Sequence, residues 1–163
     1  MLTYKGTLEC IESTMIKSNV GTDIVFLGGW CLPPRVEEER LIKCIEYWKG
    51  EKKIVSTDLI WSDDTWSHKN QLTNFLNKID ILFMNESELH ALTGETGFDK
   101  AVIQVKKMMG IHGSGDGRLC IIKLGAEGAA LIDGDKLFRA GAYPVTPVDT
   151  VGAGDLFNIG FLH

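Results

Sequence analysis

Ile79-Asp80-Ile81-Leu82-Phe83-Met84-Asn85-Glu86-Ser87-Glu88-Leu89-His90-Ala91-Leu92 changes character once, at Asn85. The residues before it form a short apolar run with branched side chains, which suits a strand buried on both faces. After it, Asn is followed three positions on by Glu, a pairing common where a helix starts. A strand over 79–84 running directly into a helix over 86–92 predicts an α/β fold, because that succession is the unit of a parallel sheet.

The same succession recurs on either side. Ile24-Val25-Phe26-Leu27 precedes Gly28-Gly29, Lys53-Ile54-Val55-Ser56 precedes Thr57-Asp58, and the run 119–124 precedes Gly125. Between them, 36–49 carries Leu41, Ile42, Ile45 and Trp48 at spacings of three and four, with Pro33-Pro34 at its entry and Gly50 at its exit, which predicts an amphipathic helix. The stretch 98–109 repeats the pattern with Val102, Val105 and Met109, and 66–76 is a less regular helix candidate. Segments 128–133 and 136–139 flank Gly134-Asp135, the composition of a tight hairpin turn. The expected architecture is one α/β domain over 1–163, a mostly parallel sheet flanked by helices with an antiparallel hairpin at one edge. Tyr4-Lys5-Gly6 suggests a turn and 8–16 a weak helix.

Bulk properties restrict the function. The 163 residues are 44% hydrophobic and 24% charged with a net charge of -5, which fits a globular domain and offers no basic stripe for nucleic acid or an anionic membrane. Neither partner is expected. No apolar run at the start resembles a signal peptide or a membrane span. Cys10, Cys31, Cys44 and Cys120 are scattered with no C-x-x-C pair, so reduced thiols in a cytoplasm are expected. His68, His90, His112 and His163 lack ligand spacing, and no structural metal is predicted. Gly113-x-Gly115-x-Gly117 follows a helix and precedes a strand, the reverse of a dinucleotide fingerprint, and reads as a flexible connector.

In doubly wound sheets the ligand lies beyond the carboxyl ends of the strands, so the polar residues there are the ones to weigh. They are Asp58, the pair Asn85 and Glu88, the loop Lys123 to Gly128, and the turn Asp149-Thr150-Val151-Gly152-Ala153-Gly154-Asp155 leading into the apolar run 156–162. Asn85 and Glu88 suit a capping box, a role compatible with holding a magnesium-bound water. In the last turn, small residues at a helix start let backbone N–H groups approach a phosphate, and a carboxylate stands ready to accept a hydroxyl proton. That combination points to phosphoryl transfer.

Together these residues resemble the C-terminal part of the PfkB carbohydrate kinase family, whose fold is ribokinase-like. Asp149 to Asp155 with Leu156-Phe157-Asn158 looks like its D-T-x-G-A-G-D-x-F signature, Asn85-Glu86-Ser87-Glu88 like its N-x-x-E helix, and Lys123-Leu124-Gly125-Ala126-Glu127-Gly128 like its T-L-G-x-x-G loop. Weaker similarity reaches back through Asp58 and Trp61 to Leu2-Thr3-Tyr4-Lys5-Gly6. The resemblance implies an ATP-dependent kinase acting on a sugar or sugar-like alcohol. It makes Asp155 the general base and the amides of Gly152, Ala153 and Gly154 the anion hole. Asn85 and Glu88 would organise magnesium and phosphate through water. Lys123, Leu124, Gly125, Ala126, Glu127 and Gly128 would border the nucleotide. Asp149 and the Val151 carbonyl match positions that hold a monovalent cation such as potassium.

The chain departs from that pattern at Leu156 and Ile159, where larger side chains are expected to tighten helix packing, and at Lys123, which stands where Thr or Ser is usual. Family members run to roughly 300 residues, a large α/β domain, so the chain is expected to be a fragment lacking both ends. The alternative is a non-catalytic remnant that binds nucleotide or self-associates as a homo-oligomer through an exposed sheet face. A nicotinamide-dependent dehydrogenase would need G-x-G-x-x-G after the first strand, and a P-loop ATPase a Walker motif; neither is present. Asp58 and Trp61 are too few to choose the acceptor.

Overall fold

The computed structural model describes residues 21–28, 38–60, 69–113 and 115–163. The expectations for 4–6 and 8–16, the Pro33-Pro34 entry and Trp61 lie outside them. Among the described residues the elements are β1 (Ile24–Leu27), α1 (Glu38–Gly50), β2 (Ile54–Asp58), α2 (Lys69–Leu76), β3 (Ile81–Asn85), α3 (Glu86–Thr93), α4 (Phe98–Met109), β4 (Leu119–Lys123), β5 (Ala129–Asp133), β6 (Lys136–Ala140) and α5 (Ala153–Leu162). The helices fall on the amphipathic stretches, with Leu41, Ile45 and Trp48 buried on α1 and Val102, Val105 and Met109 on α4.

Two strand boundaries differ from the sequence reading. β2 continues through Thr57 to Asp58, because the Ser56 and Thr57 hydroxyls donate to the Val25 and Leu27 carbonyls and the ladder to β3 pairs Asp58 with Phe83. Polar side chains therefore do not end this strand. β3 begins at Ile81 rather than Ile79, whose N–H instead closes the turn after α2 by donating to the Leu76 carbonyl at 3.2 Å.

The strands are ordered β1-β2-β3-β4-β5-β6, parallel from β1 to β4 and antiparallel from β4 to β6. This corrects the doubly wound premise: the order never reverses, so the described sheet has no topological switch point. Crossovers of one hand between successive neighbours put their helices on the same face, and side chains from α1 to α4 share one core with Val55, Leu82, Met84, Cys120, Ile122, Ala130 and Ile132. Burying one such Leu, Ile or Phe completely contributes about 1.5–3 kcal/mol. Strand alternation sends Ile81, Phe83 and Ile121 to the opposite face, where Leu162 of α5 packs on them.

At the amino edge of the sheet one carboxylate joins three elements. Asp80 accepts from Lys49 Nζ at 2.6 Å and from the Val55 N–H at 2.9 Å, while its own N–H donates to the Val55 carbonyl. The end of α1 and the starts of β2 and β3 are thereby tied, leaving the carboxyl edge to carry other chemistry. No helix among the described residues is long and apolar enough to cross a membrane.

Candidate active site

Period-two alternation sorts the strand ends before any side-chain contact is considered. Asp58 pairs with Phe83 in the β2–β3 ladder and Asn85 with Lys123 in the β3–β4 ladder. Phe83 faces α5, so Asp58, Asn85 and Lys123 also occupy that face, at the carboxyl ends of three adjacent parallel strands. This is why Asp58 can be strand and site residue at once.

α5 brings its first turns to the same place. Asp58 Oδ2 accepts from Lys123 Nζ and from Asn158 Nδ2, both at 2.7 Å. Asn158 is completely buried and Asp58 is 8% exposed. A Cβ added to Gly154 would stand 3.4 Å from Lys123 Nζ, an ordinary contact distance, so the ammonium lies against the helix start. Gly152 caps α5 in the left-handed region (φ 79), the conformation glycine adopts without penalty. The helix N-terminus and the Lys123 ammonium are both positive, a setting that suits an anion.

Asn85 and Glu88 form a complete capping box: Asn85 Oδ1 accepts from the Glu88 N–H at 2.8 Å and Glu88 Oε2 accepts from the Asn85 N–H at 2.7 Å. Glu88 is buried although charged. The 125–128 loop is a short 3₁₀ turn. Gly128 N–H donates to the Gly125 carbonyl, and a Cβ on Gly128 would overlap the Ala140 carbonyl oxygen at 1.9 Å, so this glycine is required by the β6 backbone beside it.

The chain matches the model of the pfkB family carbohydrate kinases over residues 8–163. It belongs to the pfkB family. A cytidine kinase of Thermococcus kodakarensis is 31% identical over 136 residues, 80% of this chain and 44% of that protein. A ribokinase of Arabidopsis thaliana is 42% identical over 93 residues, 53% of this chain and 23% of that protein. Among solved structures, a fructokinase from Vibrio cholerae O395 in a fructose-, ADP- and calcium-bound form superimposes with a TM-score of 0.77 at 22% identity, over 93% of this chain and 48% of that one. An adenosine kinase from Sinorhizobium meliloti gives 0.74 at 23% identity, over 94% and 45%. These likenesses establish a ribokinase-like fold, and this pfkB chain spans less than half the length of each of these relatives.

Within the pfkB signature turn, Asp155 is exposed on the first turn of α5. The Ala153 N–H donates to the Thr150 carbonyl at 3.2 Å. Asp149 Oδ1 accepts from the Val151 N–H at 2.9 Å, a local turn that sets the approach to Gly152. Leu156 is 72% and Ile159 62% exposed, which overturns the expectation that they tighten helix packing: α5 turns Asn158 and Leu162 inward instead and sets Phe161 edge-on against Phe83. Sequence reading assigned Asn158 no role. Its spacing of four from Gly154 puts both on one helical face, and that was the available signal.

Two further expectations concern other parts of the chain. The Gly113 to Gly117 segment does connect α4 to β4, and Asp116 organises it by accepting from the Arg118 N–H at 2.9 Å and the His112 N–H at 3.0 Å. The Arg118 and His112 backbone bonds hold the Asp116 carboxyl below its ordinary value. Cys120 is fully buried on β4, and burial pushes its thiol up to about 12, which keeps it protonated and unreactive at neutral pH. No group of three His, Cys, Asp or Glu among the described residues is placed to hold a metal ion.

Proposed function

We propose that the chain carries the phosphoryl-transfer elbow of an ATP-dependent kinase acting on a hydroxyl of a sugar or sugar-like alcohol. The observation that carries this reading is the meeting of Lys123 with Gly154 at the N-terminus of α5, one residue before an exposed carboxylate. A glycine against an ammonium at a positive helix end fits a phosphate group. When bound, ATP with magnesium supplies the transferable phosphoryl group and neutralises its charge.

This chain's own residues then have distinct tasks. Asp155 accepts the proton of the acceptor hydroxyl as the bond to phosphorus forms. Gly152 and Gly154 turn backbone N–H groups toward the arriving charge, while the Ala153 N–H, expected to join them, donates to the Thr150 carbonyl and closes the turn. Lys123 to Gly128 border the nucleotide. Asn85 and Glu88 each commit one oxygen to the capping box, and by the family resemblance their part in holding magnesium would be through water. Asp149 and the Val151 carbonyl would hold a monovalent cation such as potassium.

A coupled ADP-release assay over a panel of sugars and nucleosides tests the reading, with MgADP titration by calorimetry beside it. Turnover on a panel member that falls at least a thousandfold in Asp155→Asn supports it; turnover within tenfold of wild type removes Asp155 from the role of base. A second reading, a non-catalytic nucleotide-binding or self-associating chain, is favoured by one observation, the exposure of Leu156 and Ile159 beside the site. It predicts MgADP binding or assembly without turnover on any member of the panel.

A further inference from the structure

Next to the elbow lies a buried polar pair, Asp58 and Asn158, to which the proposed transfer gives no role. Asp58 and Asn158 are a hundred residues apart in sequence and share a 2.7 Å bond, and Lys123 joins them from a third element. Asp58 Oδ1 and Asn158 Oδ1 are also buried, with no protein donor. A cluster with unpaired oxygens is a poor device for stability alone, since apolar residues of similar size would hold helix to sheet at least as well. What it supplies and apolar packing does not is direction: a carboxylate accepting two donors on one oxygen fixes the rotation of α5 and the reach of Lys123 together.

We propose that Asp58 and Asn158 form a positioning clasp that sets the rotation of α5 and seats the Lys123 ammonium against Gly154, and so determines where Asp155 and the elbow amides stand. Their effect on transfer, which rests on the function proposed above, is exerted through Lys123 and the first turn of α5, without contact with substrate. The clasp itself is a property of the fold and is tested without turnover.

The test is amide hydrogen exchange on the whole 163-residue chain, with MgADP titration on the same samples. Asn158→Asp sets a second carboxylate against Asp58, and the amides of 156–162 are expected to exchange at least tenfold faster while those of β3 and α4 stay within twofold. The double variant Asp58→Asn with Asn158→Asp restores one amide and one carboxylate and is expected to return α5 to within threefold of wild type. If Asn158→Asp loosens β3 and α4 as well, Asn158→Ala is read instead against the same thresholds. Unchanged α5 exchange, or a swap that fails to restore it, overturns the clasp. A wild-type chain that binds MgADP should lose at least tenfold in affinity in Asn158→Ala and regain it in the swap; affinity unmoved in Asn158→Ala overturns the positioning role. A wild-type chain that does not bind MgADP defeats the proposed function and leaves the exchange result to decide the clasp.

Discussion

Two glycines of the candidate site are small for different reasons. Gly128 has φ +98 and no room for a Cβ beside the Ala140 carbonyl, whereas Gly154 has ordinary helical backbone and only the flexible end of Lys123 at 3.4 Å. Replacing Gly128 with alanine therefore strains the backbone and collides with it, and Gly128→Ala is expected to cost about 2 kcal/mol or more, read as a lowered urea midpoint. Gly154→Ala should leave that midpoint nearly unchanged and weaken MgADP binding at least tenfold, because only the side chain's intrusion toward the phosphate is at stake. Equal losses of stability in the two variants would show that both glycines serve the fold. The motif letters make these positions look alike; the neighbour of each Cβ separates them.

Among the elements, α3 and the loop before β4 are both held by carboxylates bonded to backbone N–H groups. Asn85→Ala removes one half of the capping box and is expected to destabilise the chain by about 1 kcal/mol, measured by denaturant unfolding, even if nucleotide binding persists. Asp116 adds a pH dependence whose sign follows from its bonds. Its folded pKa lies below 3.8, the value without those bonds. Its contribution is thus present above the unfolded value and is lost as pH falls through the folded one. The His112 and Arg118 amide signals should shift together with a midpoint below 3.8. A midpoint at or above that value, or no shift, would show that the loop is not held this way. The glycines of this segment identified it as a connector, but nothing in their spacing distinguished a loose link from one organised around a single aspartate.

At the scale of the molecule, among the described residues one sheet face is covered by four helices and the other meets α5 only in part. Phe26 is 39% exposed and Phe138 48%, and α5 itself shows Leu156 and Ile159 to solvent. Ile24, Phe26, Asn158, Ile159, Leu162 and His163 line a groove of about 320 Å³ between β1 and α5. Apolar surface gathered this way favours association, and β6 presents an exposed edge for pairing. Light scattering behind size exclusion is expected to give a mass above the 18.0 kDa of one chain, falling to that value in Leu156→Lys with Ile159→Lys. A monomer of the wild-type chain at all concentrations would show that this surface does not drive assembly.

The order of motifs and the local periods of the chain, by themselves, determined the family, the α/β class, the helix faces and the hairpin at the sheet edge. Each is written within a few turns of backbone, where side-chain spacing decides which face is buried. The tertiary structure alone decided that the strands follow one another without reversal, that Asp58 ends a strand instead of following it, that Leu156 and Ile159 face outward, and that Asp58, Lys123 and Asn158 meet. These depend on register between strands and on the rotation of α5 over the sheet. The Asp58–Lys123 and Asp58–Asn158 contacts span 65 and 100 positions of sequence, distances over which no local period carries information.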